Sequence, residues 1–280
     1  MNTMKIVEDI HIHTRVSKDS RQDPGEYVEE AINRNIQYLG FSDHLDLDPL
    51  DKDYGYYKYE DARADFDFLK AVYGQKINLL FGVEVTFQTG LERSILEHTE
   101  NKGYDYMIGS VHRLDGFTIA GTSGIPYFEG KDEKTAYIPY FEEMKRMVDF
   151  SYFPVIGHFD VIKRFGVNFY GKFDAFKYEG IIREIFKVLV KQGSVIELNS
   201  SGFRQPPREP YPSLDILEMY ADEGGSEIVI GSDAHTLKQF GDGLEKSLLY
   251  AKRVFDFSIV VFIEGKKITL GKISEFENTY

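Results

Sequence analysis

Polar signatures rich in histidine recur at the ends of short apolar runs along most of this chain, and that placement limits the folds open to it. They are His11-Ile12-His13, Ser42-Asp43-His44, Gly109-Ser110-Val111-His112, Gly157-His158-Phe159-Asp160 and Ser232-Asp233-Ala234-His235, with Gly82-Val83-Glu84 as a carboxylate member of the series. The runs before them, such as Tyr38 to Phe41, Ile77 to Phe81, Tyr104 to Ile108, Pro154 to Ile156 and Ile228 to Ile230, read as strands. Residues that each close a different strand gather on one rim of a barrel or sheet. In a (β/α) barrel that is the C-terminal rim, where active sites are built. Imidazoles and carboxylates collected there suit a cluster of divalent metal ions.

Spacing within the signatures agrees. Alternate residues of a strand point to the same side, so His11 and His13 can reach one ion, and Asp233 and His235 share a face. His158 and Asp160 share one too, which makes Asp160 a candidate to orient the His158 ring. Asp43 has the opposite parity to His44 and reads as a supporting group rather than a ligand. His98 stands outside every signature, on a helix face, and reads as a surface or packing residue.

Composition narrows the chemistry. No cysteine is present, so metal donors are confined to nitrogen and oxygen and disulfides are excluded. The formal charge of −13 is poorly suited to general nucleic-acid binding, which depends on Lys and Arg neutralising phosphates. Bound dications would still create a local positive centre. No segment approaches membrane-spanning length and no signal-peptide pattern opens the chain, so a cytoplasmic enzyme without membrane partners is expected. The length of 280 residues allows one barrel or two smaller domains. Signatures running from residue 11 to residue 235, with no linker or repeat between them, favour a single domain over 1–280.

Strands and helices alternate. After the strand ending near His13, Asp23 and Pro24 mark a helix start, with Tyr27, Val28, Ala31 and Ile32 at helical spacing. Further helices are expected over about Asp61 to Val72, Leu91 to Glu97, Tyr137 to Asp149, Ala175 to Lys191, Leu214 to Ala221 and Leu244 to Val254. An irregular segment is expected between Gly157 and Ala175. The strands are Ile77 to Val85, Tyr104 to Val111, Phe153 to Gly157, Val195 to Leu198 and Glu227 to Gly231. Val260 to Leu270 reads as a terminal hairpin turning at Gly265. Alternation of this kind predicts an α/β fold with a mainly parallel sheet and right-handed crossovers. Seven strands with every signature on one rim favour an irregular closed barrel.

The order His-x-His, Asp-His, Glu, Ser-Val-His, Gly-His-x-Asp and Ser-Asp-Ala-His resembles the PHP (polymerase and histidinol phosphatase) family over nearly the whole chain. The resemblance implies a distorted seven-stranded (β/α) barrel holding three divalent ions, commonly zinc, manganese or iron. It assigns His11, His13, Glu84 and Asp233 to the first ion, with Glu84 bridging to a second held also by His112 and His158. The third takes His44, His235 and the acidic residue after the first signature, here Asp19. Asp19 alternatively reads as a turn or helix-entry aspartate.

Clustered dications with such ligands suit phosphoester hydrolysis, because two of them can bridge a water, lower its pKa and stabilise charge on the phosphoryl oxygens. Glu84 is then a metal bridge in the catalytic centre, and Asp233 and His235 are candidates to protonate the leaving alkoxide. Substrate choice must come from neighbouring loops. Asn199 to Arg204 followed by Tyr211-Pro212-Ser213 matches a block found in histidinol-phosphate phosphatases of the family, so Arg204 is expected to clamp phosphate and Arg164 to assist. Arg208 is a weaker candidate. The acidic, aromatic loop from Asp46 to Tyr59 can wall the pocket and attract a cationic amine, and Leu114 to Lys131 is either a lid or a surface excursion. The resemblance therefore implies hydrolysis of L-histidinol phosphate by a metal-bridging hydroxide. The alternatives are a PHP phosphoesterase acting on nucleotides, short oligonucleotides or phosphotyrosine peptide, and a metal-stabilised partner module. The oligomeric state is left open.

Overall fold

The computed structural model describes residues 3–278, so the first two and last two residues of the expected span lie outside it. The strands are β1 (Glu8–Ile12), β2 (Tyr38–Phe41), β3 (Asn78–Thr86), β4 (Tyr106–Ser110), β5 (Val155–Ile156), β6 (Val195–Asn199), β7 (Glu227–Gly231), β8 (Ser258–Ile263) and β9 (Lys266–Lys272). They are hydrogen-bonded in chain order from β1 to β9. Every neighbouring pair is parallel except the terminal hairpin β8–β9. Glu264 and Gly265, both at positive φ, make the hairpin turn.

The helices are α1 (Pro24–Asn33), α2 (Tyr59–Tyr73), α3 (Glu92–Thr99), α4 (Glu133–Asp149), α5 (Lys163–Tyr170), α6 (Glu179–Gln192), α7 (Leu214–Asp222) and α8 (Leu244–Ala251). Asp23 caps α1 by accepting from Gly25 N at 2.8 Å, with Pro24 in the first turn as expected. Two helical expectations need correction. α4 starts at Glu133 rather than near Tyr137, because Asp132 caps it through Thr135 N at 3.0 Å. The segment expected to be irregular contains α5, whose Gly166 lets it pack against Tyr137: a Cβ there would fall 2.1 Å from the Tyr137 hydroxyl. No helix among the described residues is long and apolar enough to cross a membrane.

The sheet curls until β1 meets β7. The ladder does not continue across that seam. Instead, Ile12 and Ala234 form a single parallel bridge, His13 N donates to Ala234 O at 2.8 Å, and Asp233 N donates to His11 O at 2.7 Å. Lower down, β7 is drawn away to pair with β8, and buried carboxylates take over from main-chain acceptors. Glu8 Oε1 accepts from Ile230 N at 2.8 Å and Asp9 Oδ1 from Ser232 N at 2.9 Å. Buried amides need partners, so these side chains are what makes the distorted closure tolerable. Inside, the ring of Tyr106 occupies the space left by Gly40 and Gly82, where a Cβ would fall 2.2 and 2.3 Å from its atoms. Its hydroxyl donates to Ile10 O at 2.6 Å, tying β4 across to β1.

Candidate metal centre

Glu84 lies at the middle of the C-terminal rim, on β3, with 1% exposure. After a break at Ser42 and Asp43 the chain resumes pairing with β3, and the register sets His44 directly beside Glu84. Glu84 Oε2 lies 2.8 Å from His44 Nδ1, 3.3 Å from His11 Nε2 and 3.6 Å from His13 Nε2. Its Oε1 lies 2.8 Å from His158 Nε2 and 3.2 Å from His112 Nε2, and accepts from Ser110 Oγ at 2.6 Å. Asp233 Oδ1 is 3.3 Å from His13 Nε2 and 3.6 Å from His235 Nδ1. Asp19 Oδ2 reaches His235 Nε2 at 3.2 Å and His44 Nε2 at 3.6 Å. All nine expected ligands therefore converge. Within the cluster, four overlapping trios have donor atoms all within 4.8 Å of one another: His11, His13, Asp233; His11, Glu84, His158; His44, Glu84, His112; and His13, His44, His235.

The donor atoms fit cations. His11 Nε2, His13 Nε2, His44 Nδ1 and Glu84 Oε2 are buried and make no hydrogen bond, a costly state for a polar atom unless something else satisfies it. His112 Nε2 and His158 Nε2 stand 3.1 Å apart, a distance that neutral lone pairs tolerate only with a proton or cation between them. The arrangement is one that binds divalent metal.

The opposite edges of the rings are held so that Nε2 faces inward. His11 Nδ1 meets Glu197 Oε1 at 2.6 Å, and a carboxylate can only accept there. Thr86 Oγ1 gives its one proton to Asp46 Oδ1 at 2.7 Å, so it accepts from His112 Nδ1 at 2.9 Å. Ser17 Oγ likewise donates to Asp43 Oδ1 at 2.7 Å and accepts from His13 Nδ1 at 3.3 Å. His235 Nδ1 lies 3.1 Å from the Asp233 carbonyl, another pure acceptor. In each case a proton sits on Nδ1, which leaves Nε2 as the ring atom that can face a metal.

Electrostatics divide the cluster. Burial opposes charge on Glu84, yet His112, His11 and His44 hold its carboxyl well below the usual carboxylate range. Asp233 is depressed in the same way against its burial by His13 and His11, and Asp19 by His235 and His44. Burial also opposes charge on His11, but Glu197 and Glu84 carry it well above its ordinary value. His13 goes the other way, first from burial and then from His44 and His235, whose rings stack on it at 4.1 and 4.2 Å. Three ionised carboxylates among crowded imidazoles make a strong cation field.

A cleft of about 460 Å³ opens above the cluster. Arg164 and Arg204 line it on one side, and Asp46, Asp51, Lys52 and Asp53 belong to the acidic loop on another. Arg164 Nη1 donates to Ala120 O at 2.5 Å, and Arg204 Nη2 to Ser232 O at 2.7 Å, so both guanidinium groups are anchored while facing the cleft. The loop's charges are mostly committed: Arg113 pairs with Asp51 at 2.9 Å and Asp48 at 3.1 Å, and Lys18 with Asp53 at 3.0 Å. Asp46 makes no ion pair with Lys or Arg among the described residues, though His44 and His112 lie near enough to favour its charge. Of the two readings of Leu114 to Lys131, neither fits entirely. Thr118, Ala120 and Gly121 wall the cleft while Ile119, Tyr127 and Phe128 are buried in the core.

Some expectations are corrected. Asp160 does not orient His158: its Oδ2 takes Lys163 Nζ at 2.7 Å and Ser213 N at 3.0 Å, and His158 Nδ1 has no hydrogen-bond partner. Lys163, fully buried, draws that carboxylate away. Arg208 is exposed and does not line the cleft. His98 is exposed on α3, its Nδ1 2.8 Å from Ser94 O. Asp43 supports His13 through Ser17 and also accepts from Thr14 N at 2.6 Å. Sequence reasoning passed over Glu197 and Thr86. Each carried a signal, Glu197 as an acid inside the apolar run Val195 to Leu198, and Thr86 by sharing strand parity with Glu84.

Known proteins resemble this chain in sequence and fold. A relative in Thermotoga maritima named probable histidinol-phosphatase is 26% identical over 268 residues, covering 95% of this chain and 99% of its own. The histidinol-phosphatase of Lactococcus lactis subsp. lactis is 25% identical over 267 residues, covering 95% and 97%. A crystal structure of the histidinol phosphate phosphatase of Lactococcus lactis complexed with zinc, L-histidinol and phosphate superposes with a TM-score of 0.84. It is 22% identical and covers 93% of this chain and 98% of that one, a likeness of fold. The PHP domain family model matches residues 9–201, from the first strand through the turn after β6. With most of the metal cluster inside that span, the chain belongs to the PHP domain family.

Proposed function

We propose that this chain is a metal-dependent phosphomonoesterase that hydrolyses L-histidinol phosphate to L-histidinol and phosphate, acting in the cytoplasm as one domain over 1–280. The observation that carries the reading is the convergence of inward-facing Nε2 atoms and three carboxylates beneath a cleft with two anchored arginines. The names of the full-length relatives, and the product pair bound in the Lactococcus lactis structure, support the substrate.

The site is assigned three divalent ions, of zinc, manganese or iron. His11, His13, Glu84 and Asp233 would hold the first, Glu84, His112 and His158 the second, and Asp19, His44 and His235 the third. When bound, such ions supply a water acidic enough to attack phosphorus at neutral pH and positive charge for the phosphoryl oxygens. Glu84, with one oxygen toward each imidazole group, sets the spacing. Arg204 and Arg164 orient the phosphate, Asp46 faces the substrate ammonium, and Asp233 or His235 takes a proton from the attacking water and passes it to the leaving alkoxide as the P–O bond breaks.

Phosphate release tests this directly. Histidinol phosphate is expected to exceed p-nitrophenyl phosphate and mononucleotides in kcat/KM, because it alone offers both the phosphate and the cationic amine. Equal values on all three would overturn the substrate assignment in favour of a general phosphoesterase and leave the metal centre standing.

A further inference from the structure

Glu197 lies beneath the metal cluster, fully buried on β6 and outside the residues that line the cleft. Its Oε1 accepts from His11 Nδ1 at 2.6 Å and from Asn199 Nδ2 at 3.1 Å. Its Oε2 accepts the backbone N–H of His158 at 2.9 Å. The neighbouring strands leave room for it by lacking side chains. A Cβ on Gly231 would fall 2.3 Å from Glu197 Oε1 and 2.4 Å from His11 Cβ. One on Gly157 would fall 2.5 Å from Ser110 Oγ and 3.6 Å from Glu197 Oε2. Gly157 of one signature and Gly231 just before another therefore keep clear the space this carboxylate and its neighbours fill.

Among the other supports of the cluster's imidazoles, Thr86 holds His112 and the Asp233 carbonyl holds His235, while Ser17 Oγ accepts from His13 Nδ1 and from the backbone N–H of His44 at 3.0 Å. Glu197 also touches two histidines, the His11 ring on β1 and the main chain of His158 just after β5. We infer that Glu197 is a positioning residue that sets two metal sites at once. By accepting from His11 Nδ1 it fixes the tautomer that presents Nε2 to the first ion. By holding the main chain of His158 it fixes where that ring meets the second. The inference rests on the reading of the cluster as a metal centre.

The test compares wild type, Glu197→Gln and Thr86→Val after loading with zinc. Glutamine keeps the shape but has a single acceptor oxygen, so it cannot serve both His11 Nδ1 and His158 N. Release of zinc to a chromophoric chelator is expected to become about 10–100-fold easier for two ions in Glu197→Gln and for one in Thr86→Val. In 15N spectra of zinc-loaded protein, His11 is expected to carry its proton on Nδ1 in wild type and to lose that preference in Glu197→Gln. Wild-type chelator resistance in Glu197→Gln, or identical release profiles in the two variants, would overturn the inference. If Glu197→Gln does not fold, the wild-type spectrum decides, since an Nε2-protonated His11 there is incompatible with it. Failure of wild type to take up zinc would instead defeat the metal-centre reading.

Discussion

Glu84→Gln is expected to lose metal and turnover together, while His98→Ala keeps both at the wild-type level. Glu84 offers one oxygen to His11, His13 and His44 and the other to His112 and His158. Glutamine preserves volume but turns one of those oxygens into a donor and removes the charge that offsets the cations. The loss of several kcal/mol of electrostatic stabilisation corresponds to on the order of a thousand-fold in kcat/KM. Elemental analysis beside phosphate release separates the outcomes. Full metal content with near-normal turnover in Glu84→Gln would refute the bridging role, and a large loss in His98→Ala would mean that the wrong histidine was set aside.

Arg204→Ala should weaken phosphate binding and turnover with all metal retained. Loss of a charge-assisted pair of hydrogen bonds costs roughly 2–5 kcal/mol, or about one to three powers of ten in kcat/KM. The structure adds a second route to such a loss, because the guanidinium also holds the carbonyls of Ser232 and Asp233, at 2.7 and 3.3 Å. Arg204→Lys keeps the charge without the planar fork. If metal content falls in step with activity in either variant, Arg204 acts by supporting Asp233, and the phosphate contact is withdrawn.

The proposed ligands are legible because nearly all of them interrupt an apolar pattern at a strand end, a signal carried by adjacent residues. Even Asp19, which has no strand before it, could be placed by resemblance. What stayed hidden depends on partners far apart in the chain. Asp160 shares parity with His158, but the choice between that ring and Lys163 is made by how α5 packs, and α5 itself was read as irregular. Glu197 meets His11 across 186 positions, and no local pattern announces that meeting. The same holds for Glu8 and Asp9. Acids in a buried first strand look misplaced until the amides of β7 are seen to need them.

The seam between β1 and β7 has a thermodynamic consequence. Its main-chain bonds are made by His11, His13, Asp233 and Ala234, so three of the four residues that close the ring are also proposed metal ligands. An ion held between them clasps the first strand to the seventh, and its binding free energy becomes folding free energy. At a thousand-fold excess over Kd that amounts to about 4 kcal/mol. Stripping the metal should therefore lower Tm in a scan and open this seam first to hydrogen exchange, with unchanged protection there counting against the clasp. Cellular metal supply would then govern how long the chain survives proteolysis as well as how fast it turns over.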